Sequence, residues 1–357
     1  MATYVLRRIL LFIPTLLGIT VLVFAVMAIT PGGVGKAVVN MQGEMNPQER
    51  KQLEDYLNRR YGLDKPIYVQ YLRWLNRVSP IGVSYDEKGQ SQGFGIKWPD
   101  LGTSFIKQRP VIDLIGEMLP ITLLLNLLAL PLVYTIAIGT GIYASHFRGK
   151  AFDTISGFVL LALWCLPTIW VGIMLIYFFA NDDMLHWFPT GDLHDITATT
   201  MPFMPAATEQ GFQRGWLLDY FWHLVLPLVC LTYGGFAYLS KLTRSAMLEN
   251  SSSDFVRTAR AKGVAARDVL FRHTFRNSLL PLITVAAHIL PSLLGGSIIV
   301  ESIFQINGMG RLMIEAAFLK DYEIIMSVTL VASVLVLVSY LIADLGYAIA
   351  DPRVSYE

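Results

Sequence analysis

The 357-residue chain is 54% hydrophobic and only 15% charged, with a mean hydropathy of +0.50. That much apolar surface cannot be hidden in one water-soluble core, so the expected solvent is lipid. Lys and Arg number 28 against 27 Asp and Glu. A net charge of +1 excludes a nucleic-acid binder, whose phosphate contacts need a basic surplus.

In chain order, Arg7 and Arg8 precede an uncharged run, Ile9 to Ile29. This imitates a secretory signal. The run is longer than a typical signal core, and "AITPGG" is a poor cleavage site, so residues 1–30 are read as a retained membrane anchor. "GGVGK", ending at Lys36, is no phosphate loop. That pattern needs Gly six residues before the Lys and Ser or Thr after it, where Thr30 and Ala37 stand.

Residues 31–118 form a long segment expected outside the lipid. Leu53, Tyr56, Leu57 and Tyr61, then Val69, Leu72 and Leu75, have helical spacing broken by Gly62 and Pro66, which predicts two short amphipathic helices. They suit either a headgroup surface or another protein, and the sequence does not choose. Residues 79–97 have loop chemistry and read as an insertion, as do residues 181–216.

Residues 119–350 are expected to form the membrane core. A span needs about 20 residues without charge. With the anchor, the windows are Ile9–Ile29, Leu119–Ser145, Ile155–Ala180, Phe221–Ser240, Leu279–Val300 and Ile324–Ala343, none holding Asp, Glu, Lys or Arg. Prolines within them predict kinks. Residues 241–278 carry eight Lys and Arg, whereas 181–220 carry only Arg214 and 301–323 only Arg311 and Lys320. The basic bias places both termini in the cytoplasm. Cys165 and Cys230 sit in apolar runs without metal-site spacing and read as small buried hydrophobes. No metal site is expected.

Residues 243–279 interrupt the apolar runs with a polar, basic segment. Ser253 is placed to cap a helix starting at Asp254, Gly263 to end it, and a second helix is expected from Ala265 to about Leu279. A solvated hairpin that only fixes topology is one reading. The apolar set Phe255, Val256, Val264, Val269, Leu270, Phe271 and Phe275 is large for a hairpin facing water, which favours a partner.

This segment resembles the EAA-type loop of ABC importer permeases, and "RTARAKG" followed by "RHTFRNSLLP" is similar to the oligopeptide/dipeptide/nickel permease family. The resemblance extends, in order, through "RRILLFIPTLLGITVLVFAVMAITPGG", "RYGLDKPIYVQYLRWL", "DLGTSFIKQRPVIDLIGEMLPITL", "GGSIIVESIFQINGMGRLMIEA" and "ADLGYAIADPR". Arg257 stands where the loop's name puts Glu. What it implies is an all-α integral membrane protein of six transmembrane helices, with the type I ABC importer (MetI-like) permease fold and a long extracytoplasmic segment after the first helix. It implies a second permease subunit, two ABC ATPases that use ATP and Mg, an extracytoplasmic binding protein, and no cofactor on this chain. Arg257, Thr258, Ala259, Arg260, Ala261, Lys262 and Gly263 then couple to the ATPase. The cargo, peptide, nickel complex or other solute, stays open.

Along the fifth window, His288, Gly295, Gly296, Ser297 and Glu301 are pathway candidates, with helix packing as the bland alternative for the glycines and a satisfied core residue for His288. An intramembrane Ser/His hydrolase is disfavoured, because Ser297 and His288 lie on opposite helix faces, about 180° apart. A secondary transporter is disfavoured by uncharged spans and the lack of repeat symmetry.

Overall fold

The computed structural model describes residues 2–29, 64–85, 91–104, 106–208, 211–294 and 298–350, with positions 48, 51, 58 and 62. The expected helix around Leu53 to Tyr61 lies outside the described residues. The chain is mostly helical and divides into two compact units, residues 1–119 with 312–337, and residues 120–311 with 338–357.

In the first unit, α1 (Ala2–Ile29) is followed by α2 (Ile67–Val78), whose N-cap is Pro66, with the φ of −56° that its ring fixes. Tyr71 and Trp74 of α2 pack on Phe24 of α1, with ring centroids at 5.5 and 5.9 Å, and the Tyr71 and Thr20 hydroxyls meet at 3.0 Å. Residues expected to be loop fold instead as an antiparallel hairpin, β1 (Ile81–Tyr85) and β2 (Ser91–Ile96). The Gly-rich composition suggested a loop, yet the alternation Phe94, Ile96, Trp98 has the period of a strand. Asn76 pins this hairpin to α2 by accepting from Val83 N at 2.8 Å and donating to Val83 O at 2.9 Å.

The same unit contains most of α11 (Met309–Leu319) and the first part of α12 (Tyr322–Ala350). Arg77 reaches both oxygens of the buried Glu323 at 3.3 Å, Ser104 donates to Asp321 Oδ2 at 2.5 Å, and Ser327 donates to Leu101 O at 2.7 Å. Gly102, at φ +84°, lies so close to the Glu323 carboxylate that a Cβ would collide with it.

The second unit begins inside α3 (Val111–His146), a helix that starts at Val111 rather than Leu119 because Asp113 and Glu117 are taken into its first turns. Next come α4 (Ala151–Cys165) and α5 (Thr168–Phe179), bent by 101°. Leu166 precedes Pro167, a position where sterics disfavour helical ψ. It is extended at ψ 128°. The carbonyl released at this corner accepts from the Tyr233 hydroxyl at 2.7 Å. A small hairpin, β3 (Ala206–Thr208) and β4 (Gly211–Gln213), leads into α6 (Trp216–Ser251). Then follow α7 (Asp254–Ala261), the single turn α8 (Ala266–Asp268), α9 (Arg276–Leu294) and α10 (Ile298–Ile303). Two apolar clusters hold the unit: Leu125, Leu224, Cys230, Val300 and Phe304, and Val133, Ala137, Leu239 and Leu282. Arg244 grips Asp153 through two bonds of 2.6 and 2.8 Å. Cys230 is buried as expected, while Cys165, at the corner, is exposed.

Among the described residues four helices are long and apolar enough to cross a membrane, and five spans result when α4 and α5 count as one. The window Leu279–Val300 is met by α9 as far as Leu294, with 295–297 outside the described residues.

Gly102 and Gly149 both have left-handed φ, but nothing crowds Gly149. Gly102→Ala is expected to cost about 2–4 kcal/mol, from backbone strain plus overpacking, and Gly149→Ala about 1 kcal/mol. Thermal unfolding of the purified chain in detergent checks the difference.

Candidate functional site

The helix α6 has 36 residues. Its length is therefore about 54 Å, well beyond the hydrocarbon thickness of a bilayer, roughly 30 Å. Its far end carries the basic segment. Ser253 occupies the N-cap position of α7, but its hydroxyl donates back to Asn250 O at 2.5 Å instead of accepting from α7. The unpaired carbonyls of the last turn of α6 claim the donor first. Gly263, at φ +74°, ends α7. Gly263 N donates to Arg260 O at 3.0 Å and Val264 N to Ala259 O at 3.2 Å. These two bonds are the pair that defines a Schellman turn.

The second arm departs from the expected α-helix. Val269–Phe275 is π-helical, and Thr274 Oγ1 donates to the carbonyl of Val269, five residues back, at 3.1 Å. Such an extra residue per turn shifts the face that the following side chains present, and π turns recur at functional sites. Val256, Ala259 and Val269, joined by Val264, form a small core of their own. Part of the apolar set thought to need a partner is therefore consumed internally. Phe255 and Phe271 remain outside, 42% and 46% exposed. Of the predicted coupling residues Ala259 is buried, whereas Arg257, Thr258, Arg260, Ala261, Lys262 and Gly263 are exposed. Asn250 clasps the base of this bent pair by donating to Ser278 Oγ at 3.1 Å, and Ser278 donates to Ala246 O at 3.1 Å.

Of the pathway candidates, the structure describes the side chain of Glu301 alone. Gly295, Gly296 and Ser297 lie outside the described residues, and His288 lies on α9 with its side chain likewise outside the description. Glu301, on α10, is 1% exposed. Its carboxylate accepts from Thr122 Oγ1 at 3.1 Å and from Arg311 N at 2.9 Å, while Thr122 Oγ1 accepts from Met309 N at 2.8 Å. Gly308 and Gly310 leave room for it, since a Cβ at either would press on the carboxylate. Glu301 and Thr122 thus hold the turn 304–311 against α3.

A second polar group escaped sequence reasoning. Residues 181–215 hang on the end of α10, where Asp192 N donates to Phe304 O at 2.9 Å. Within them, His194 stacks on Trp216 and Tyr220, with ring centroids at 4.3 and 4.9 Å, and its Nδ1 lies 3.4 Å from the buried Asp219 carboxylate. Asp219 Oδ2 accepts from Asp195 N at 2.9 Å, and His223 Nδ1 lies 2.9 Å from Asp219 O. The available signal was Asp219 and His223, four apart, beside an apolar run read as starting at Phe221. Burial pushes the His194 pKa below its ordinary 6.5, against the opposing pull of Asp219. No His, Cys, Asp and Glu group that could hold a metal occurs among the described residues.

Thr122→Val is expected to destabilise by about 1–3 kcal/mol, because it removes the acceptor of the buried Met309 N–H and a hydrogen bond to the Glu301 carboxylate, and Thr122→Ser by much less. Thermal melts of the two variants decide this. Because the folded pKa of His194 is depressed, its neutral form stabilises the 181–215 cap fully above about pH 6.5, and that contribution is lost as pH falls below this value. Hydrogen exchange at 191–198, corrected for intrinsic rates, should quicken from pH 7.5 to 5.5, and His194→Gln should flatten the trend.

Residues 137–356 match the family described as "Binding-protein-dependent transport system inner membrane component", and residues 1–126 match its N-terminal membrane component. The chain is 38% identical, over 360 residues and the whole of both chains, to the oligopeptide transport system permease protein AppB of Bacillus subtilis. It is 34% identical over 361 residues to the di/tripeptide transport system permease protein DppB of Pseudomonas aeruginosa, and 31% over 361 to the dipeptide permease protein DppB of Alkalihalophilus pseudofirmus, again over the whole of every chain. The chain belongs to the binding-protein-dependent transport permeases, the membrane-embedded, non-catalytic subunits of ABC importers.

Proposed function

We propose that this permease passes peptides, delivered by an extracytoplasmic binding protein, through a conduit shared with a second, related permease chain. The permease relatives named for oligopeptides and dipeptides support the cargo class. In this reading six spans cross the cytoplasmic membrane with both termini inside. Residues 1–30 are the anchor, 31–118 extracytoplasmic, 119–350 the permease core, and 243–279 the coupling loop. Two ATPase subunits bind ATP and Mg, and this chain binds no cofactor. His288, Gly295, Gly296 and Ser297 are assigned to the conduit. Glu301, buried and fully engaged by Thr122 and Arg311 N, acts by holding the 304–311 turn that shapes its mouth.

The observation that carries the coupling assignment is the form of the α7–α9 segment. Its own small core makes it rigid, and its Schellman turn at Gly263 makes it sharply bent. What it leaves outside, Phe255 and Phe271 among Arg257, Arg260 and Lys262, is the mixture of apolar anchors and cationic rim that docks into an acidic-edged cleft. An aromatic knob fixes position, and the charges select the partner.

Arg260→Glu combined with Gly263→Leu removes one charge match and the left-handed turn. A docking loss of about 1–2 kcal/mol is expected to lower ATP-driven peptide uptake roughly tenfold. In proteoliposomes, membrane insertion and basal ATP hydrolysis should persist while uptake falls. Uptake at the unmodified rate would remove the coupling role.

A further inference from the structure

The hairpin β1–β2 has two unlike faces. Its register pairs Ile81 with Ile96 and Val83 with Phe94, so these four side chains share one side, and Gly82 with Gly95, which share the other. The glycine side is turned to α2: Gly82 is buried, and a Cβ there would strike the Asn76 side chain. The two hydrogen bonds between Asn76 and Val83, with Lys97 N donating to Pro80 O at 2.9 Å, fix the hairpin in that attitude. On the opposite side Val83 is partly buried, but Ile81 at 57%, Phe94 at 78% and Ile96 at 90% are exposed, with Trp98 just beyond at 93%.

The depth of this bare face is set by two spans. The helix α2 docks on α1 at Thr20 and Phe24, close to the end of the apolar window Leu6–Val26. One turn after Trp74, Arg77 binds Glu323, at the start of the window Tyr322–Ile342. The root of the hairpin therefore lies at the level where both helices leave the hydrocarbon. The last turns of α1 at that level also expose apolar groups, Leu22, Val26 and Ile29. Indole and phenyl rings with aliphatic neighbours at this depth are the composition of a membrane–water boundary, where an amphipathic body finds both an apolar and a wet side.

We propose that the hairpin is an interfacial membrane anchor, with Ile81, Phe94, Ile96 and Trp98 seated among the lipid headgroups and upper acyl chains on the side where α1 ends. It clamps the extracytoplasmic segment flat on the bilayer, as an in-plane amphipathic helix does with its apolar face. The proposal rests on α1 and α12 crossing the membrane and is independent of the cargo and of the coupling assignment.

The test uses the assembled importer in phospholipid nanodiscs. In a Cys165→Ser background, Ile96→Cys is spin-labelled and its collision rates with oxygen, which partitions into lipid, and with a water-soluble nickel chelate are compared. Oxygen should dominate several-fold, and adding the binding protein should change nothing. Dominance of the nickel chelate would overturn the anchor. So would a label shielded from both reagents, or one that becomes shielded when the binding protein is added, since a protein partner would then cover the face. A measurement without a label stands beside it: lipids brominated near the headgroup should quench tryptophan emission less in Trp98→Phe than in the unmodified importer, and equal quenching would count against the proposal.

Discussion

A polar group buried in protein, away from water, must find its hydrogen-bond partner within the chain or in another subunit. That constraint explains the arrangement of the second unit better than its apolar packing does. Glu301 is paired with a hydroxyl and a backbone amide, Asp153 with Arg244 through two bonds, and Ser278 with the Ala246 carbonyl. Each pair joins segments distant in sequence, so polar satisfaction and tertiary specification are one event. Removing one member is costly because the survivor loses a hydrogen bond that water does not replace where it is buried.

The apolar clusters fill the space between these pins. They suit a membrane protein in being modest, since lipid solvates Leu as well as Leu does and close packing has to supplement the polar pins. Small residues do part of that work: Gly141 lies against Ser240 and Thr243 of α6, where no larger side chain fits. With α6 running from the aromatic stack on Trp216 to the clasp at Asn250, one continuous helix connects the 181–215 cap with the basic segment inside the same unit.

Much of this was legible in the sequence, for a physical reason. Apolar runs of span length and the turn at Gly263 are local signals, and the long helix α6 and the short helix α7 that they predict are present in the structure. What stayed hidden depended on distant partners. The π turn at Val269–Phe275 requires the Thr274 bond to Val269 and the neighbouring helix to stabilise it, and no periodicity announces it. The bond between Glu301 and Thr122, 179 positions apart, left no trace in the local sequence. The β1–β2 hairpin was masked by its glycines, of which Gly82 leaves the space that Asn76 fills.

The corner at Leu166–Pro167 bears on how such a molecule can change shape. Its freed carbonyl is already occupied by Tyr233, and proline fixes the torsion that would have to turn. A joint soldered from both sides cannot serve as a hinge. Whatever moves in this unit, the 101° elbow is expected to travel as a single part.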